Sequence, residues 1–165
     1  TSAGLDASMK RLVRDVCPIL VKTPNTNARA VYEEYFKQEL KKNEISEAIR
    51  EAVVSAAPGD ELVHVYLEER TRSSFQGTDD LKVRVKRLLG IANEDVGDDR
   101  IGRLSVFFQS RNAIVHNLDY SSQSSRSTKR THRDLRSTKV MCDEVFDVAG
   151  SLISGAAFAM KRSGH

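Results

Sequence analysis

The sequence predicts an all-α protein. Apolar residues recur at helical spacing along almost the whole chain, nothing convincing alternates with the two-residue period of a strand, and the chain has only three prolines, nine glycines and no tryptophan. At 165 residues, 39% hydrophobic and 30% charged, one domain over 1–165 has core enough to fold without staples. The expected architecture is a bundle of about five or six mostly antiparallel helices.

Leu5, Met9, Leu12, Val13 and Val16 mark a first helix. Pro18 should end or kink it, because proline removes a backbone donor and clashes with the preceding turn. After a turn-rich stretch at 23–27, Ala28, Val31, Tyr32, Tyr35, Phe36 and Leu40 form the stripe of a second helix, with Glu33, Glu34, Lys37 and Lys41 opposite. Asn43 can cap a third, carrying Ile45, Ala48, Ile49, Ala52, Val53 and Ala56 until Pro58 and Gly59 break it. Asp60 can cap a fourth, buried through Leu62, Val63, Tyr66 and Leu67, and residues 73–79 read as loop.

Leu81, Val85, Leu88 and Leu89 form a short helix with Lys82, Arg84, Lys86 and Arg87 on its wet side, stopping at Gly90. The penultimate helix carries Ile101, Leu104, Phe107, Phe108, Ile114, Val115 and Leu118. Between about 120 and 134 the pattern gives way to a serine-rich basic loop, and loops of that length within a domain are usually functional or disordered. The last helix, from about Leu135 to Met160, places Met141, Val145, Val148, Leu152, Ala156 and Ala159 on one side. Gly150 and Gly155 would let another helix approach it, at about 1 kcal/mol each relative to alanine.

Composition narrows the function classes. A net charge of +3 permits a nucleic-acid partner without demanding one. Cys17 and Cys142 lack the spacing of a zinc site or redox pair, which favours a reduced, cytoplasmic chain. No apolar run reaches the length of a membrane span and no signal-peptide pattern opens the sequence, so no membrane partner is expected. The chain begins at Thr1 and not at methionine, as a domain cut from a longer protein would. There is no glycine-rich phosphate loop, nucleophile elbow or metal-spaced His or Cys pair, and no metal or cofactor is expected. The acidic doublets Asp79–Asp80 and Asp98–Asp99 read as helix starts, and His64, His132 and His165 as ordinary packed or solvated histidines.

Arg111 stands apart. On a helix it neighbours Phe107, Phe108, Ile114 and Val115, an apolar setting for a group that cannot lose its charge. Either a buried carboxylate from another helix meets it, or this face receives an anion.

The pattern Arg-Asn-x-x-x-His at 111–116, in an amphipathic helix followed by a loop and a long final helix, resembles the signature of HEPN domains (higher eukaryotes and prokaryotes nucleotide-binding). The resemblance implies a helical bundle acting as a metal-independent endoribonuclease. It further implies a homodimer in which the motifs of two chains converge on one site, and a toxin or antiphage defence role. An RNase without metal uses the substrate's own 2′-hydroxyl, leaving a 2′,3′-cyclic phosphate and a 5′-hydroxyl. His116 would be the general base or acid, at a reference pKa of about 6.5, Arg111 would bind the scissile phosphate, and Asn112 would position His116 or a substrate oxygen.

Five residues turn an α-helix by about 500°, so Arg111 and His116 stand roughly 140° apart. Either the helix loosens near Asn117 or a second chain supplies the missing partner. In HEPN toxins restrained by a nucleotidyltransferase antitoxin a tyrosine two residues after the histidine is modified. Here Leu118 stands there and Tyr120 comes later, a departure from that mode of control. Arg126, Lys129, Arg130 and Arg133 follow the motif and suit RNA phosphates as well as they suit a solvated linker. Two rival readings are a non-catalytic helical dimerisation module and a nucleotide-sensing domain serving a fused partner.

Overall fold

The computed structural model describes residues 2–117 and 134–164. Among the described residues the chain is all-helical, as predicted, with no strand. The helices are α1 (Ser2–Lys22), α2 (Asn27–Glu39), α3 (Glu47–Val54), α4 (Pro58–Arg72), α5 (Thr78–Leu81), α6 (Asp98–Gly102), α7 (Ser105–Asn117) and α8 (Leu135–Arg162), and α5 runs straight into a π turn at Lys82–Lys86. They outnumber the helices expected, largely because the predicted penultimate helix is broken between Gly102 and Ser105.

The first helix is the hub, packing against α2, α4 and α8. It does not end at Pro18. Proline forfeits one backbone bond, but continuing the helix buries Cys17, Leu20 and Val21, and each large aliphatic taken out of water contributes about 1.5–3 kcal/mol. Leu5, Met9 and Val13 join Val145, Val148 and Leu152 of α8 in the same core. Burial holds the Cys17 thiol far up, at about 12, so it stays an inert packed group.

Two caps differ from expectation. Ser46, not Asn43, accepts from the backbone of α3, at Ile49. Helix α4 begins at Pro58, ahead of Asp60, because proline at the first helical position gives up a donor that has no intrahelical partner anyway. Thr26 caps α2 and Asp134 caps α8 as side-chain acceptors.

The predicted basic helix is where the register departs most. In a π turn the backbone bonds skip one residue further than in an α-helix, as in Arg87 N–H to the Lys82 carbonyl at 2.9 Å, so the residues beyond the turn are rotated by one position. Lys86 is thereby turned inward and buried, where its ammonium bonds Asn93 Oδ1 at 2.7 Å and Asp98 Oδ1. Arg84 is not on a wet side either. It donates to the carbonyls of Arg70, Ser73 and Ser74, pairs with Asp80 and lies over the Phe75 ring at 4.5 Å. One guanidinium thus closes the exposed carbonyl end of α4 and fixes the loop beyond it. The π turn ends at Lys86, and the turn that follows it stops at Gly90, whose φ of +62° and contact with Ala28 admit no side chain.

The long α8 presents the predicted apolar side, with Val145, Val148, Leu152, Ala156 and Ala159 buried. Gly155 serves a close approach, but to Ile91 and Val96 of the turn before α6 and not to a helix; Gly150 faces open space.

Candidate functional site

Helix α7 opens on the core and runs out of it. Leu104 and Phe108 are buried, Phe107 packs edge-on against Phe108 with centroids 5.4 Å apart, and beyond them Ile114 and Val115 are about half exposed, at 48% and 53%. Of the four apolar neighbours expected around Arg111, Phe108 alone is fully buried, and Ile114 and Val115 are about half exposed. Leu104 and Phe108 join the core, whereas Ile114 and Val115 at the end of α7 are only partly covered, with Thr138 and Met141 of α8 beside them.

Arg111 sits at this transition, half-buried. Its Nη1 donates to Asn112 Oδ1 at 2.9 Å and, more weakly, to Gln76 Oε1 at 3.4 Å. Both acceptors are neutral amide oxygens. Among the described residues no carboxylate pairs with it, in contrast with Arg84, Arg100 and Arg162, which each hold an aspartate. The buried glutamate that would have explained Arg111 structurally is absent among those residues, which leaves the positive charge oriented and not neutralised.

Gln76 carries no signal in the sequence, where it is one polar residue in a loop. It reaches Arg111 because its loop is anchored on all sides. The Phe75 side chain is buried and its N–H bonds Asp6 Oδ1 at 2.6 Å, Gln76 N–H bonds Asp80 Oδ2 at 2.9 Å, and Arg84 holds the carbonyls beneath.

Beside Arg111 lies a groove of about 270 Å³ between the end of α7 and the first turns of α8, with Ser2 at one edge. Phe107, Ile114, Val115 and Met141 make it largely apolar, and Arg111, Ser110 and Thr138 supply its polar atoms. Ser110 Oγ donates to Met141 Sδ at 3.8 Å, tying α7 to α8 at this point. The groove thus combines an apolar wall with one fixed cation, the arrangement in which an anion gains most from electrostatics, since less water competes.

The other predicted positions are placed unevenly. Asn112 is exposed and serves Arg111 as an acceptor. His116 belongs to α7 by its backbone, and that helix continues to Asn117, so it does not loosen between Arg111 and His116. Arg126, Lys129, Arg130 and Arg133 lie outside the described residues, as do His132 and His165. His64 is exposed on α4. Among the described residues no three His, Cys, Asp or Glu side chains gather in a way that could hold a metal ion, and no helix is long and apolar enough to cross a membrane.

No family model, curated protein or solved structure matches this chain.

Proposed function

We propose that this chain is a HEPN-type endoribonuclease that cleaves RNA without a metal. In this reading the substrate's 2′-hydroxyl attacks the adjacent phosphate, giving a 2′,3′-cyclic phosphate and a 5′-hydroxyl. The observation that carries it is Arg111, held by two amide oxygens at the edge of an apolar groove without a carboxylate among the described residues. A guanidinium in that state offers its remaining N–H donors to phosphoryl oxygens as negative charge builds on them. His116 moves the proton, and Asn112 positions Arg111 or a substrate oxygen.

Helicity through Asn117 supports a composite site. Positions 111 and 116 of one straight helix face different directions, so a second copy bringing its own motif to the groove resolves the geometry. The biological setting we infer is a cytoplasmic toxin or antiphage effector, restrained by an antitoxin or by a fused sensor domain, with Arg126, Lys129, Arg130 and Arg133 on RNA phosphates.

A second reading, a non-catalytic HEPN-like dimerisation or nucleotide-sensing module, is favoured by one observation. Val106, Ile114 and Val115 on α7 and Val140 and Phe146 on α8 are all exposed. The test is incubation of the protein in chelator with a structured RNA and with its fully 2′-O-methylated copy. The nuclease reading expects cutting of the first alone, with cyclic phosphate ends; an intact RNA in a dimeric protein supports the module.

A further inference from the structure

Arg111 commits one nitrogen, Nη1, to the amide oxygens of Asn112 and Gln76, and its guanidinium lines the groove of about 270 Å³ between the end of α7 and the first turns of α8. On those two helices the groove's hydroxyls point their protons at the protein itself. Thr138 Oγ1 donates to the Asp134 carbonyl at 3.0 Å, and Ser110 Oγ donates to Met141 Sδ at 3.8 Å. The rest of the wall is apolar, made by Ile114, Val115, Met141 and the half-buried ring of Phe107.

A bare phosphate on Arg111 would leave that apolar wall in water. The ligand that fits charge and wall together carries a phosphate with an apolar or flat group beside it. Size narrows the group. Pockets for drug-sized molecules run to about 300–1,000 Å³, so this groove suits a single ring system and not a stack or a pair of them. In RNA the ring system beside each phosphate is a nucleobase, and every base has a π-face to lay on an aromatic ring or an apolar side chain.

We propose that the groove receives one unpaired nucleobase, the neighbour of the phosphate held by Arg111. The inference rests on the RNA-cleaving reading and names its substrate as single-stranded RNA. A base within a duplex is paired and stacked on both sides, so it does not reach the groove. With the Thr138 and Ser110 protons directed elsewhere, the base is held by its faces and not by its hydrogen-bonding edges, and the site tolerates any of the four.

The test titrates the full chain with adenosine 3′-phosphate and uridine 3′-phosphate, following the amide resonances of Ser110, Met141 and Cys142. Ribose 5-phosphate, which lacks the base, and butyl phosphate, an apolar anion without a base, are the controls. Both nucleotides are expected to bind with dissociation constants below about 10 mM, and both controls at least about tenfold more weakly, since stacking one base is worth roughly five- to 150-fold. Met141→Gln should weaken the nucleotides at least about fivefold and leave ribose 5-phosphate unchanged, while Met141→Leu, which keeps the apolar wall, should match the parent. Neither nucleotide binding, either control binding as tightly as the nucleotides, or Met141→Gln binding them like the parent overturns the proposal. These arms need no cutting. Nucleotides that bind as expected to a chain that cuts no RNA support the base site and sink the nuclease reading; cutting without a preference for nucleotide over ribose 5-phosphate sinks the base site alone.

Discussion

The guanidinium of Arg111 on α7 meets the side-chain carbonyl of Gln76, which stands 35 positions earlier in the chain, at 3.4 Å. That contact ties the candidate site to a loop whose own order comes from Arg84 and Asp6. Gln76→Ala is expected to leave folding intact, because Gln76 is exposed, and to lower the RNA cutting rate by about two- to tenfold, the worth of one weak polar contact. Single-turnover kinetics check this; a rate equal to the parent's would mean that the loop does not hold Arg111 in the working geometry.

Lys86 and Asp98 form an unequal pair, the lysine side chain 9% exposed and the aspartate 60%. Removing the exposed partner strands a buried cation, whereas removing the buried one strands nothing in the core. Asp98→Ala should therefore lower the urea midpoint more than Lys86→Met does. The opposite order would show that Asn93 alone satisfies the ammonium.

Three aspartates give the acid limb its direction. Arg162 holds Asp95 below the ordinary carboxylate range, Lys86 does the same for Asp98, and the Ser137 hydroxyl and N–H for Asp134. A carboxyl lowered by folding contributes stability above its unfolded value, near 3.8, and loses that contribution as pH falls through the folded one. Melting temperature should be nearly flat from about pH 7 to about pH 5 and fall below about pH 4, and Asp95→Asn with Asp98→Asn should shallow that fall. A double variant whose acid limb is as steep as the parent's contradicts this.

Glycines on α8 separate packing from propensity. At Gly150 an added methyl meets open space, so Gly150→Ala should stabilise by up to about 1 kcal/mol. At Gly155 it would stand 2.7 Å from Ile91 Cγ2 and 3.1 Å from Val96 Cγ2, both buried, and Gly155→Ala should cost about 1–3 kcal/mol despite the better helix former. Denaturant midpoints decide, and equal effects at the two sites would contradict the contact.

The helices, most of their buried residues and the stop at Gly90 are legible in the sequence because apolar spacing and backbone punctuation are local properties, although Leu40 of the second stripe and Val53 of the third stand exposed, at 60% and 54%. The inward turn of Lys86 is not, because a single π turn changes the register without leaving a mark in the apolar pattern. The continuation of α1 past Pro18 depends on what Leu20 and Val21 bury, a tertiary fact. At the candidate site the sequence raises two possibilities for Arg111, a carboxylate or an anionic ligand. Which one holds depends on residues distant in sequence, Gln76 among them.

The exposed apolar residues at the end of α7 carry a prediction for the composite site. Sedimentation at about 10–100 μM should give a dimer, and Ile114→Glu with Val115→Glu a monomer that retains its helical spectrum and no longer cuts. A monomeric parent that cuts RNA would place the whole site in one chain.

The most direct test of Arg111 and His116 as one RNA-cleaving site is the single-turnover rate on a structured RNA in chelator, for the parent, Arg111→Ala and His116→Ala. Cutting by the parent is expected, with a loss of about a hundredfold or more in each variant and melting temperatures little changed. A parent that does not cut, or variants that cut at its rate, would contradict a shared site.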